Sequence, residues 1–152
     1  MNWNNLTATL EEYSQFLEET AKTGMPSRYE LKDKISFDLE IGPSIFEIEF
    51  NAPEYWKYVN YGRKPGKMPP PRVLESWITR NRIVPRALNN KLPTTAQLAY
   101  LIARKIGKEG LPGNNFLGKT LDKNKDYWFD RISLSISQDI IQQLDSVFDT
   151  FI

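Results

Sequence analysis

The segment that decides the fold is ISFDLEIGPSIFEIEFN, residues 35–51. Apolar and acidic side chains alternate along both of its halves, and the turn residues Gly42-Pro43-Ser44 separate the halves. The apolar set is Phe37, Leu39, Ile41, Phe46, Ile48 and Phe50, and the acidic set is Asp38, Glu40, Glu47 and Glu49. Alternation with a period of two predicts two strands with one buried face, and the turn predicts that they pair as an antiparallel hairpin.

The second face of this hairpin carries the four acidic side chains. Like charges on opposed strands are mildly destabilising unless a cation lies on them. Two interpretations therefore stay open. The face meets water, as charged side chains usually do, or it docks a basic partner.

Helices are predicted on both sides of the hairpin. Residues 4–22 have apolar side chains at spacings of three and four, and Gly24 and Pro26 end the helix. Residues 116–148 are predicted as mainly one long helix, because apolar residues recur mostly at spacing four. That stripe is Leu117, Leu121, Trp128, Ile132, Ile136, Ile140, Leu144 and Phe148. A strand over 132–137, where Ile and Leu alternate with Ser, is the rival; no Gly or Pro after Gly118 interrupts the helical pattern.

The centre of the chain is predicted as short helices and loops. Residues 55–61 form a short aromatic helix, 62–72 form a loop stiffened by proline, and 73–82 form a helix. A polar connector, 85–93, then leads to a helix capped by Thr94 or Thr95. That helix is expected to bury Leu98, Leu101, Ile102 and Ile106 and to end at Gly107 and Gly110. The fold class is therefore α+β: an N-terminal helix, an antiparallel hairpin or small sheet, central short helices and a long C-terminal helix.

Composition removes several classes of site. The 152-residue chain has no cysteine and no histidine, which excludes disulfides, thiolate or imidazole metal sites, and nucleophiles or general bases of those types. Paired carboxylates such as Glu11 and Glu12 remain, but surface acids do not provide the two contrasting environments that acid–base catalysis needs. The segment Gly62–Gly66 does not match a phosphate-binding loop, since Lys67 is followed by Met and prolines. We expect no enzyme, no cofactor and no metal.

Charge is strongly segregated along the chain, although the net charge is only +1. Residues 1–54 carry 4 basic and 11 acidic side chains, whereas residues 55–108 carry 12 basic side chains and a single acid, Glu75. Residues 109–152 carry 4 basic and 7 acidic side chains. A basic block between acidic flanks indicates contact with nucleic acid or with the acidic part of a neighbouring copy.

Aromatic and basic residues interleave at the start of this block, in YWKYVNYGR, residues 55–63. Such a mixture stacks on bases or contacts phosphates in nucleic-acid-binding proteins. Trp, Tyr and Arg also dominate the energetic centres of protein interfaces. Plain core packing, with the tyrosine hydroxyls at the surface, is the third interpretation.

No membrane or targeting segment is expected. Residues 1–10 have neither a basic flank nor an apolar core of signal-peptide length. No apolar run approaches the roughly 20 residues of a membrane-spanning helix. The default compartment is therefore the cytoplasm.

Two short motifs within this order of elements carry a family resemblance. Tyr55, Tyr58, Val59 and Gly62 match a "Tyr-x-x-Tyr-Val-x-x-Gly" turn after the hairpin. Phe116, Leu117 and Leu121 match a later "Phe-Leu-x-x-Ala-Leu" helix start, with Thr120 where alanine is usual. With a proline-rich loop between the motifs, the chain resembles the neck or tail-completion (head–tail connector) proteins of tailed bacteriophages over roughly residues 6–148. In shorter members the proline loop runs almost directly into the second motif.

The resemblance implies a structural role without catalytic residues or cofactor. It implies a single neck/tail-completion-like domain over 1–152, with 73–112 as a helical elaboration. It implies a homo-oligomeric ring of six or twelve copies at the head–tail junction of the virion, assembled in the host cytoplasm. The partners would be a portal, an adaptor or other neck and tail proteins, with non-specific contact to packaged DNA left open. An acidic hairpin and a basic loop could pair head-to-tail between copies, a contact that closes into a ring when its rotation divides a full turn.

The candidate interface residues follow from the loop and the two motifs. They are Tyr58, Tyr61, Arg63, Lys64, Lys67, Arg72, Phe116 and Leu117. The cations would form a basic interface loop, the tyrosines would anchor it, and Phe116 and Leu117 would seat the long helix. The alternative function is a small nucleic-acid-binding protein that uses the basic 55–108 segment.

Overall fold

The computed structural model describes residues 2–26, 29–87 and 91–150, and its fold is α+β, as predicted. The helices are α1 (Asn4–Thr23), α2 (Trp56–Tyr61), α3 (Pro71–Arg80), α4 (Thr95–Glu109), α5 (Phe116–Asp122) and α6 (Lys125–Thr150), with a 3₁₀ helix at Glu30–Lys34. The strands are β1 (Ser36–Ile41), β2 (Phe46–Asn51), β3 (Gly62–Arg63) and β4 (Leu111–Pro112).

The chain divides into two compact units. Met1–Trp56 and Asn115–Ile152 make the first, which we call the helix–hairpin unit, and Lys57–Asn114 makes the second, which we call the basic unit. The basic unit is one continuous segment, and it contains the 73–112 stretch that the resemblance marks as an elaboration. Its entry and exit lie together, because the Asn114 amide donates a hydrogen bond to the Val59 carbonyl at 2.8 Å.

The predicted hairpin is confirmed. β1 and β2 pair antiparallel, in a register that puts Phe37 opposite Phe50, and their rings lie 5.0 Å apart. Phe37 is buried, and Phe50 also contacts the Trp56 ring edge-on at 5.2 Å. The register sets Asp38 opposite Glu49 and Glu40 opposite Glu47, on the face of the hairpin away from the phenylalanine rings. The alternation in the sequence therefore separates a packed apolar face from an acidic face.

Helices α1 and α6 pack antiparallel in the helix–hairpin unit. Thr9 and Ser135 share a hydroxyl–hydroxyl hydrogen bond of 2.6 Å, and one turn further along Arg131 pairs with Glu12 at 2.6 Å. At the next turn the buried Trp128 ring packs on two aromatic rings of α1, those of Tyr13 at 5.0 Å and Phe16 at 5.3 Å. The predicted helix over 4–22 is confirmed.

The prediction of one helix over 116–148 is wrong at a single point. Lys123 is extended and Asn124 has a φ of 54°, so α5 and α6 are separate helices. Asparagine is one of the few residues that adopt this left-handed conformation readily, and it ends the helix without Gly or Pro. From Lys125 onward the helix is continuous, so the rival strand over 132–137 is wrong.

The basic unit is built on α3 and α4, which pack against each other. Helix α3 starts at Pro71, inside the predicted loop, because proline suits the first position of a helix. The buried face of α4 is Ala99, Ala103 and Ile106, whereas Leu101, predicted to be buried, is 39% exposed. The prediction was right for Ile106, and Leu98 and Ile102 are half-buried. The two alanines were missed because small side chains add little to an apolar pattern. The middle of the predicted connector, 88–90, lies outside the described residues.

Thr94, rather than Thr95, caps α4. Its side chain accepts a hydrogen bond from the Gln97 amide, and the Gln97 side chain accepts one from the Thr94 amide, which completes a capping box. Thr94→Ala should lower the free energy of unfolding by about 1 kcal/mol, because one amide of the first turn loses its acceptor. Thr95→Ala is the matched control, and urea denaturation should show a smaller change for it. Equal losses in the two variants would contradict the assignment.

Candidate functional site

The division into two units coincides with the segregation of charge. The helix–hairpin unit contains 8 basic and 17 acidic side chains, and the basic unit contains 12 basic and 2 acidic side chains. Their formal net charges are therefore −9 and +10. Along the sequence, the excess of acidic residues changes to an excess of basic residues near residue 55. This position is close to the structural boundary at Trp56 and Lys57. The two units therefore carry strong charges of opposite sign, although the whole chain is nearly neutral.

A backbone contact brings two basic segments of the basic unit together. The Gly66 amide donates to the Gly107 carbonyl at 2.8 Å, so the loop after β3 lies on the last turn of α4. Gly110 lies even closer to this loop, because a Cβ atom built there would overlap the Arg63 carbonyl oxygen. The β3–β4 pair, Gly62 with Pro112 and Arg63 with Leu111, continues this contact. Only glycines permit such an approach of backbone to backbone.

The cations that flank this backbone contact in the chain are what we call the basic platform. They come from β3, from the loop after it and from the end of α4, namely Arg63, Lys64, Lys67, Arg104, Lys105 and Lys108. The loop half was predicted as an interface. The α4 half was missed, because its contact with the loop depends on the backbone of glycines far apart in the sequence.

Little neutralises the basic platform from within. In the described part of the chain its only ion pair joins Lys105 and Glu109 at 3.9 Å, between two exposed side chains of α4. Arg63 donates from Nη2 to the Lys67 carbonyl at 2.6 Å, a bond that closes the loop without cancelling charge. The other acid of the basic unit is Glu75, on α3. The platform therefore has an excess of positive charge.

The aromatic turn divides between core and surface. The Trp56 ring packs on Phe50 and is half-buried, so it belongs to the core of the helix–hairpin unit. Tyr58 and Tyr61, in contrast, are 68% and 70% exposed. Tyr61 directly precedes β3 and is two residues from Arg63 in the sequence.

The remaining candidate residues are Arg72, Phe116 and Leu117. Arg72 is exposed in the first turn of α3, where its carbonyl accepts a hydrogen bond from Ser76. Phe116 is 1% exposed, with its ring 6.4 Å from that of Phe50, and Leu117 is half-buried. Phe116 thus holds the start of α5 in the core and offers no surface to a partner.

The end of α6 carries an apolar surface that we call the α6 ridge. It consists of Ile140, Ile141, Leu144, Val147 and Phe148, which are between 39% and 63% exposed. Three of them, Ile140, Leu144 and Val147, follow the four-and-three spacing of a helix-packing seam. Ile140, Leu144 and Phe148 also belong to the stripe that predicted the helix, and Leu121 near its start is exposed as well.

The ridge lies on a side of α6 that α1 does not cover. Asp139 is buried against the start of α1, yet the next two residues, Ile140 and Ile141, are 39% and 56% exposed. Helix α6 also runs past the start of α1 at Asn4, because the Gln143 side chain donates to the Asn2 carbonyl at 3.0 Å. From there α6 continues to Thr150, which at 1.5 Å per residue is about 10 Å further.

Asp139 is a buried acid that sequence reasoning missed. It is 1% exposed and accepts hydrogen bonds from the Asn5 amide at 3.0 Å, the Leu6 amide at 2.9 Å and the Asn5 side chain at 2.8 Å. Burial alone would raise the pKa of Asp139, but these hydrogen bonds outweigh it and hold the pKa below its ordinary value. Trp3, at the cap position of α1, offers no side-chain acceptor, so Asp139 caps α1 from another helix.

Two other kinds of site were sought in the described ranges, and the chain was compared with known proteins. No group of three or more acidic side chains in those ranges could hold a metal ion, and no helix there is long and apolar enough to cross a membrane. A scan against protein-family models and searches of curated proteins and of solved structures returned no match to this chain.

Proposed function

We propose that this protein is a structural virion protein of a tailed bacteriophage, which forms or completes a ring at the head–tail junction through protein–protein contacts. The observation that carries the proposal is the α6 ridge. The motif resemblance gives the location in the virion, and the order of elements agrees with what that resemblance implies.

The α6 ridge has the character of a surface that another protein covers. Five large apolar side chains lie within about three turns of one helix, and each is at least a third exposed. Soluble monomers rarely leave such a contiguous apolar patch open to water. Full burial of one side chain of this size contributes about 1.5–3 kcal/mol, so a partner that covers the ridge gains a substantial free energy.

Charge favours the basic unit of a second copy as the partner. Asp145 and Asp149 lie beside the α6 ridge on a unit of net charge −9. Two ridges packed on each other would bring these acids together, which opposes association. A ridge against the basic unit of the next copy joins opposite charges instead. That contact uses two different surfaces, and repeated contacts of this kind close into a ring.

The test is a double substitution within the α6 ridge. Leu144→Glu with Val147→Glu should leave the protein folded, because both side chains are exposed, and should abolish its assembly into rings. Gln138→Glu with Gln142→Glu is the matched control, since it adds the same charge to exposed positions of the same helix outside the ridge. Particle mass and electron-microscopy class averages would measure assembly. Circular dichroism would verify the fold, and a complementation assay would count tailed particles.

Two results would contradict the proposal. Infectious tailed particles at normal yield from the ridge variant would show that the ridge is not an assembly surface. The alternative, a small nucleic-acid-binding protein, would be favoured by two observations together. The wild-type protein would remain a small particle, and deletion of its gene would leave virion assembly unchanged. A monomer in isolation is compatible with the proposal, because such a protein can wait to dock on a ring that already exists.

A further inference from the structure

We propose that the basic platform binds the sugar–phosphate backbone of a nucleic acid. The inference concerns Arg63, Lys64, Lys67, Arg104, Lys105 and Lys108, and it does not rest on the proposed function. A ring protein and a monomeric protein could both carry this surface.

The first argument is the density of uncompensated charge. Six cations share the platform with a single acid, Glu109, in a unit that has 12 basic and 2 acidic side chains. Nearby like charges repel, so the cluster is electrostatically unfavourable in the free protein. A polyanion relieves this repulsion and gains further from the release of its condensed counterions.

The second argument is the preorganisation of the loop. Pro65 and Pro69 limit the backbone on each side of Lys67, and the Gly66–Gly107 hydrogen bond fixes the loop to α4. Arg63 closes it further through its bond to the Lys67 carbonyl. Cations on a backbone that is already ordered lose less entropy when they bind.

The third argument separates nucleic acid from an acidic protein. Four of the six cations are lysines, and lysine is depleted in protein–protein interfaces relative to the rest of the surface. Lysine is common in contacts to phosphate, where a mobile point charge suffices. The exposed ring of Tyr58, in the short helix that leads into β3, provides a face on which an unpaired base stacks.

The test uses the full-length protein with two fluorescent probes, a 30-base-pair DNA duplex and a single strand of the same length. Fluorescence anisotropy over 50–300 mM NaCl gives the dissociation constant at each salt concentration. Six phosphate contacts predict a plot of log affinity against log salt with a slope of about −5 on duplex DNA, and a shallower one on a single strand.

The platform variant is Lys64→Gln, Lys67→Gln and Lys108→Gln. Its matched control is Lys34→Gln, Lys91→Gln and Lys125→Gln, which removes the same charge from exposed lysines outside the platform. At 100 mM NaCl the platform variant should bind at least about tenfold more weakly, with a slope smaller by about 2–3, because three phosphate contacts are lost. The control should lose less than about threefold. Circular dichroism would verify that both variants fold.

Three results would overturn the proposal. One is no binding to either probe at 50 mM NaCl by folded wild-type protein. Another is an equal loss of affinity in the platform variant and the control, which would mean that DNA responds to the total charge of the protein and not to the platform. The last is displacement of DNA by polyglutamate at equal charge concentration, which would assign the platform to an acidic protein.

The two probes distinguish the source of the phosphate backbone. If single strands are the ligand, Tyr58→Ala should weaken binding to the single strand several-fold and leave duplex binding unchanged, because only unpaired bases expose a face for stacking. If duplex DNA is the ligand, Tyr58→Ala should have no effect on either affinity. Both patterns support nucleic-acid binding at the platform. The first indicates single strands as the ligand, and the second indicates duplex DNA.

Discussion

Replacement of Asp139 by alanine should lower the free energy of unfolding by about 3 kcal/mol. The carboxylate is 1% exposed and accepts three hydrogen bonds, from two amides of the first turn of α1 and from the Asn5 side chain. Hydrogen bonds to a charged group contribute about 1.5–3 kcal/mol each, and donors left buried without an acceptor add a desolvation penalty. Alanine would also leave α1 without a cap, since Trp3 provides none.

Asp139→Asn and Asp145→Asn refine the measurement. An asparagine in place of Asp139 would retain one oxygen acceptor but would set an amide group against the donors of α1, so we expect a loss close to that of alanine. Asp145 is exposed on the same helix, and its replacement by asparagine should change stability by less than about 0.5 kcal/mol. Urea denaturation at neutral pH would measure all three variants. A loss below about 1 kcal/mol for Asp139→Ala would contradict the capping role, given the usual cost of a lost cap.

The same residue predicts a dependence on pH. The pKa of Asp139 in the folded protein is lowered, so its ionised form is favoured by folding. The stabilisation is therefore fully present above the pKa of the unfolded chain, near pH ~4. It is lost as the pH falls through the lower folded value. The difference in unfolding free energy between wild type and Asp139→Asn should accordingly shrink on acidification from about pH 5 to about pH 2.

Substitution of Gly110 by alanine should destabilise the basic unit by about 3 kcal/mol or more. Gly110 has φ 75° and ψ −164°, a region that is essentially restricted to glycine and costs other residues about 1–3 kcal/mol. The new methyl group would also overlap the Arg63 carbonyl oxygen, so the loop and the end of α4 would have to separate. The substitution should therefore disperse the basic platform and weaken DNA binding as well.

Gly24→Ala is the matched control for this prediction. Gly24 has a helical φ of −71°, which alanine accepts, so its replacement should change stability by no more than about 1 kcal/mol. Hydrogen exchange resolved by peptide would follow residues 57–114 separately from the helix–hairpin unit. We expect loss of protection within the basic unit for Gly110→Ala. Unchanged exchange rates around Arg63 and Leu111 would refute the close approach.

The parts of the fold that could be predicted well from the sequence are those set by local periodicity. The hairpin follows from alternation over 37–50, because a shift of one residue would bury the acids and expose the phenylalanines. Helix α1 follows from its three-and-four spacing and its terminal glycine. The break at Asn124 was missed because the left-handed conformation of a single asparagine leaves no periodic signal.

The candidate sites were only half predictable for a different reason. Arg63, Lys64 and Lys67 form a visible run, but their union with the end of α4 depends on two glycines far apart in the chain, Gly66 and Gly107. The exposure of the α6 ridge depends on which side of α6 packs on α1, and a wide apolar surface on α6 does not reveal that side. Asp139 had a weak signal, since it is an acid on the apolar side of a helix, but its partners lie 133 and 134 residues earlier.

The cap that Asp139 provides for α1 also affects the order in which parts of the protein can fold during synthesis. A nascent chain that has emerged as far as Asn114 holds every residue of the basic unit, so that unit can fold while synthesis continues. Helix α1 has emerged long before this point. Asp139, which caps α1, and α6, which covers its apolar side, have not yet been synthesised. The α6 ridge follows Asp139 in the chain, so the acid that caps α1 is made before the ridge that we propose as an assembly surface.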